Sequence, residues 1–258
     1  MRNSLVLALT ASLVLAACGK DAVDQSAEVV ESKQPWAEFA ATVIDDYYAR
    51  NPETAVDAGL HQYDGQMSDL SMAAVEEYAA WLDTVLAEAA GYDDLEGIEA
   101  FERDYLSTAL EGELFWIRES DFLTSNPLAY AGAIGISVYV DREYAPLEQR
   151  LKAYTQYMEQ LPGMLQQMQK NLQPPLPAPY VEMGYRVLSG LVEYLSTTVP
   201  EIFAPVEDEQ LQRQFRAAND AAIEAIRLSV EWLEGLKATA TDDYALGEEK
   251  FLKMLSAT

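Results

Sequence analysis

Apolar residues along most of this chain recur every three or four positions, the spacing of a helix that buries one face. Trp36, Phe39, Val43 and Tyr47 open the series, with Pro35 just ahead of them, where a first helical turn tolerates proline. Ser71 is a fitting N-cap for a second long helix carrying Val75, Tyr78, Leu82 and Leu86. "GYDDLEG" over 91–97 interrupts the pattern. A third helix then places Ile98, Phe101, Tyr105, Leu106, Leu110, Leu114 and Ile117 on one broad face, and "SNPLAY" over 125–130 ends it.

The next segment, "AGAIGISVYV" over 131–140, is short, apolar and β-branched, so periodicity alone does not separate helix from strand. No neighbouring run offers a partner strand, which favours helix. Over 144–172, Leu147, Leu151, Tyr154, Met158 and Leu161 stay in helical register, and Pro162 is expected to kink or split that helix. "QPPLPAPY" over 173–180 reads as a stiff extended connector. Helices are predicted near 180–197 and over 207–237, the latter with Leu211, Phe215, Ala218, Ala222, Ala225, Ser229 and Leu233 inward and Glu and Arg outward. A last amphipathic run holds Phe251, Leu252 and Leu255. Hairpin turn signals are missing. The predicted fold is all-α, a multi-helix array of long antiparallel amphipathic helices with no substantial sheet.

The N-terminus follows another pattern. One basic residue, Arg2, precedes an apolar run from Leu5 to Ala17, too short to span a bilayer, which takes about 20 residues. It fits the apolar region of a secretory signal. The run closes on "LAAC", where Cys18, the chain's one cysteine, stands at the position of a bacterial lipobox cysteine. Cleavage before Cys18 and lipidation of its sulfur are expected. Gly19 rather than Asp follows, so an outer-membrane anchor facing the periplasm is expected in a diderm bacterium. Residues 18–34 read as the lipidated cysteine and a flexible tether. The helical region is expected over 35–258.

Charge narrows the partners. Acidic residues number 43 against 17 basic ones, a formal net charge of −26. Such a field repels nucleic acid and anionic headgroups, so membrane attachment falls to the lipid. With one histidine, and the cysteine committed to lipid, a zinc site would need carboxylates alone. The pairs Asp45-Asp46, Asp93-Asp94 and Asp242-Asp243 do not converge on a helix. No nucleophile elbow, P-loop or dinucleotide fingerprint occurs. His61, in "NPETAVDAGLHQYDGQMSD" over 51–69, has no partner that sequence nominates, and no catalytic or metal-binding residue is predicted in this chain.

Four stretches in order resemble the DUF885 family. "YYARNPETAVDAGLHQYDGQMSDLS" resembles its opening signature, carried by Gly59, His61, Tyr63 and Asp64. "FERDYLSTALEGELFWIRESDFLTSNPLAY", "LEQRLKAYTQYMEQLPGMLQQMQKNLQPPLPAPYVEMG" and "YALGEEKFLKML" are similar to successive later segments. The resemblance implies a helical bacterial lipoprotein akin to gluzincin-type zinc metallopeptidases, whose H-E-x-x-H helix lies in a C-terminal half. This chain matches the N-terminal half and has no His-Glu dipeptide. The resemblance thus implies the wall of a substrate cleft, inactive alone, with zinc expected only where a C-terminal catalytic half is present. Its partners would be the membrane through the lipid, and peptide or that catalytic half. Truncation is one expectation; an autonomous acidic periplasmic binding or scaffold lipoprotein is the other. On the first, the helices should present an apolar face, and the signature loop should be structural or line the cleft rim.

Overall fold

The computed structural model of this protein describes residues 33–256, so the signal run, Cys18 and nearly all of the tether lie outside the described residues. Among the described residues the chain is all-α, with no strand and one isolated bridge between Pro177 and Thr241. No helix there is long and apolar enough to cross a membrane.

α1 (Trp36–Arg50) begins directly after Pro35, whose backbone is non-helical (φ −56°, ψ 146°). Pro35 is therefore the cap and not part of the first turn, and its carbonyl accepts from the amides of Glu38 and Phe39. α2 (Pro52–Asp57) starts with proline at its first position, which leaves no amide unbonded there. α3 (Met72–Ala90) is capped by Ser71, whose hydroxyl accepts from Ala74 N at 3.4 Å. α4 (Gly97–Arg118) folds back along α3. Arg103 reaches Tyr92 O near the turn, and Tyr78 reaches Glu113 further along. Together α1, α3 and α4 enclose a small core of Trp36, Phe39, Val43, Leu82, Val85, Ala89, Tyr92 and Leu110.

The broad apolar face predicted for α4 is two stripes. Leu106, Leu110, Leu114 and Ile117 pack on this small core, while Ile98, Phe101 and Tyr105 stay 67%, 63% and 69% exposed. At 3.6 residues per turn the two stripes lie about 140° apart, too far to face one neighbour.

Short helices follow: α5 (Phe122–Ser125), α6 (Leu128–Ala131) and α7 (Ser137–Asp141). The ambiguous stretch is thus helix at both ends with a loop between. Its second half ends as helix because buried Arg150 donates to Tyr139 O and Val140 O, at 3.0 and 3.2 Å. A cation on the last carbonyls of a helix satisfies groups that have no partner within it.

α8 (Leu147–Asn171), α9 (Ala178–Phe203) and α10 (Glu209–Leu236) form the larger core. Pro162 does not split α8, which runs unbroken through it. Leu161, Met164 and Leu165 are buried on either side of the proline, and that packing offsets the lost backbone bond, about 3 kcal/mol. One buried polar thread joins the three helices. Tyr154 donates to Asn219 Oδ1 at 2.7 Å, and Asn219 Nδ2 donates to Leu195 O at 3.0 Å. Gln169 meets Ser229 further along. Residue numbers therefore rise together across α8 and α10 and oppose those of α9, so α9 runs antiparallel to both. Gly184 of α9 allows a close approach, since a Cβ there would lie 2.6 Å from Pro127 Cβ. α11 (Glu248–Ser256) buries none of its side chains. Lys250 and Lys253 pair with Asp121 and Glu119 and hold it beside the end of α4.

Candidate functional site

The signature loop between α2 and α3 is pinned at three levels. At its head, His61 Nδ1 lies 3.1 Å from Asp64 Oδ1, and the imidazole stacks on Tyr144, centroids 3.7 Å apart and planes within 4°. Tyr144 OH donates to the other Asp64 oxygen at 2.7 Å. Burial, and then the Asp64 carboxylate, push the Tyr144 phenol well above its ordinary value. His61, Asp64 and Tyr144 thus form a closed triangle. Among the described residues no hydroxyl bonds to His61 Nε2, and a nucleophile is what a His–Asp pair would need in order to act as a general base.

In the middle of the loop, Gly65 (φ +76°) donates to Tyr139 OH at 3.0 Å and accepts from Gln160 at 2.7 Å. A Cβ at Gly65 would meet Gln156 at 2.9 Å, so both its backbone and its space require glycine. Gly59 also has positive φ, +91°, at the end of α2. Tyr63 lies in the short 3₁₀ turn His61–Tyr63 and packs on the larger core.

At its tail, the Glu53 carboxylate accepts from Ser68 N at 2.9 Å and Ser68 Oγ at 2.6 Å. Leu70 N donates to Gln167, and Leu70 O accepts from Asn171 at 2.6 Å. This clamped tail forms one side of a cleft of about 420 Å³, a usual size for a ligand site. The cleft lies where the two cores meet. Leu70 and Leu123 belong to the larger core, Tyr78 and Ile117 to the smaller, and Val75 and Trp116 complete its apolar surface.

Polar groups enter the cleft from three elements. Asn51 Nδ2 donates to Tyr47 O at 2.9 Å and Tyr78 OH at 3.1 Å, and Tyr78 OH donates to the half-buried Glu113 carboxylate. Burial, and then Glu113, push the phenols of Tyr78 and Tyr47 far up, so both are neutral donors across ordinary pH. Arg50 lies 5.0 Å from the centre of the Trp81 ring and 3.9 Å from Glu77. Asp69 accepts from Ser71 N, which holds its carboxyl below the usual range, and also from Gln167.

Of the four signature residues, the structure brings His61 and Asp64 into contact. None of Gly59, His61, Tyr63 and Asp64 lines the cleft, though the loop they anchor supplies Ser68, Asp69 and Leu70 to it. Cys18 lies outside the described residues. The cleft residues Arg50, Asn51, Tyr78, Glu113 and Trp116 escape sequence reasoning. Asn51 stands in a stretch that draws notice only for His61 and the family signature, Tyr78 reads as a core position, and Glu113 is one acid among 43. Among the described residues no three His, Cys, Asp or Glu side chains are grouped to hold a metal ion.

Comparison with known proteins agrees with the fold. The family model of the bacterial proteins of unknown function termed DUF885 matches residues 52–258. A solved structure of a candidate lipoprotein of unknown function from Shewanella oneidensis superposes with a TM-score of 0.79 at 20% identity. That match covers 87% of this chain and 42% of the other, so the chain spans under half the length of that protein. No curated protein matches significantly.

Proposed function

This chain belongs to the DUF885 family, and from that premise we propose that it forms one wall of a peptide-binding cleft in an envelope-anchored protein of the family. The observation that carries this reading is the cleft itself: an apolar pocket between two cores, bordered by the clamped signature loop and entered by a few convergent polar groups. The greater length of the Shewanella structure supports a second wall supplied by further sequence. So does the exposed stripe of Ile98, Phe101 and Tyr105, an apolar face on the same helical layer. The zinc centre implied by the resemblance would belong to that further sequence, and no hydrolytic step is assigned to residues of this chain.

Attachment through lipid on Cys18, in the outer membrane and facing the periplasm, is part of the proposal. It rests on the lipobox pattern and on the description of the Shewanella protein as a candidate lipoprotein. A second reading, an autonomous acidic binding or scaffold lipoprotein, is favoured by the net charge of −26, which suits cationic peptides or partner proteins.

The full chain, purified in mild detergent, should bind peptides yet cleave none of a mixed peptide library, with or without added zinc. Robust zinc-dependent cleavage by this chain alone would overturn the assignment of hydrolysis to other sequence. Ala74→Trp, which fills the cleft, should abolish peptide binding. Cys18→Ser should release the protein from the membrane fraction and remove the lipid mass; retention with unchanged mass would sink the anchor.

A further inference from the structure

The charges in the cleft are unequally matched. Arg50 is the basic residue lining it, and Arg50 is already engaged by Glu77 and by the face of Trp81. Asp69 and Glu113 have no basic partner among the described residues. Asp69 accepts from Ser71 N and Gln167, and Glu113 accepts from Tyr78, all neutral donors. Neutral donors steady a carboxylate without cancelling its charge, so the cleft keeps two uncompensated negative charges beside an apolar surface. Glu113 is half-buried, where solvent screens it less than it would on an open face.

Resting on the reading of this cleft as a peptide site, we propose that its ligand is a peptide with a large apolar side chain next to a basic residue. The apolar side chain packs among Leu70, Val75, Ile117 and Leu123, and the ammonium or guanidinium is held by Asp69 and Glu113. The net charge of −26 steers such a ligand toward the protein. The same carboxylates reject its acidic counterpart, which would bring like charge into a partly desolvated site.

The test is calorimetric titration of the full chain, at low and at physiological ionic strength, with three blocked peptides: acetyl-Gly-Leu-Lys-Gly-amide and the versions with Glu for Lys and Ser for Leu. The Lys peptide is expected to bind at least tenfold more tightly than either other peptide, and more weakly as salt rises. Glu113→Gln keeps an acceptor for Tyr78 and so keeps the fold. It should weaken the Lys peptide at least threefold and leave the Glu peptide no weaker, and Asp69→Asn should act in the same direction. Equal affinity for the Lys and Glu peptides, abolished by Ala74→Trp, would overturn the charge selectivity and leave the cleft as the peptide site. Binding that survives both Ala74→Trp and Glu113→Gln, or no binding of any peptide, would overturn both.

Discussion

The α8–α10 bundle and the α1–α3–α4 layer are built from the same kind of amphipathic helix, yet they treat apolar surface differently. The bundle packs a large set of side chains out of solvent, although Met183, Val187 and Leu228 on its outer faces stay exposed. Tyr154, Tyr157, Phe203, Met158 and Leu165 are at most 2% exposed, and Tyr154 and Asn219 carry a hydrogen-bonded thread across its three helices. The layer encloses a smaller core and leaves Ile98, Phe101, Tyr105 and Trp116 open. The cleft occupies the seam between them. A rigid bundle supports the loop through Gln160, Gln167 and Asn171, and the less filled layer provides the open side. The contrast separates the part that holds the fold from the part that presents surface to a partner.

The sharpest way to break this contrast is to cut into each part with a matched substitution. Phe203 packs against the Tyr154 and Phe215 rings, 5.3 and 5.7 Å between centroids. Phe203→Ala should destabilise the protein by about 3–5 kcal/mol in urea unfolding. Phe101→Ala in the layer should change it by less than about 0.5 kcal/mol. Similar losses from both would mean that the α4 stripe is covered after all.

Alkaline pH should act next, and mainly through the bundle and the loop. Burial pushes Tyr139 up to about 12 and raises Tyr154, Tyr157, Tyr144 and Tyr78 above their ordinary value of 10.0. The folded state therefore favours the neutral phenols, while the unfolded chain ionises near 10. Stability is full below pH 10 and falls as pH rises through 12. Absorbance at 295 nm should show these tyrosines ionising together with loss of helical circular dichroism; smooth ionisation with the helices intact would contradict their burial.

A smaller effect probes where the bundle meets the short helices. Gly184→Ala forces Pro127 aside and should cost about 1–3 kcal/mol, read as a lowered urea midpoint. At the loop, His61→Ala removes a stacked ring and one bond to Asp64, and should cost about 1 kcal/mol without weakening peptide binding. A large loss of binding with stability unchanged would give His61 a role in the site itself.

Most helices were legible because one buried face imposes a 3.6-residue period that survives without knowledge of the partner. Leu147 to Leu161 and Leu211 to Leu233 announce α8 and α10 this way, and Ser71 announces the start of α3 through a local hydrogen bond. Less was legible where the deciding contact is distant. Pro162 looked like a break because the packing that carries α8 through it comes from another helix. Residues 131–140 were ambiguous because Arg150, outside the segment, takes the last carbonyls of α7.

The same division runs through the site. His61 and Asp64 stand three residues apart, so sequence could bring them near each other, but Tyr144, which closes the triangle, comes from 80 residues further on. Tyr78 and Glu113 are separated by 35 residues and are adjacent only because α4 folds back on α3. By itself the sequence determined the all-α class, most helix positions, the acidic character and the membership motifs, since each depends on local periodicity or on composition. Only the tertiary structure decided which apolar stripe of α4 is buried, where the cleft lies, and which of 43 acids stand in it without a cation. Those facts depend on which helix faces meet, and a helix sequence specifies its own buried face without specifying the neighbour that covers it.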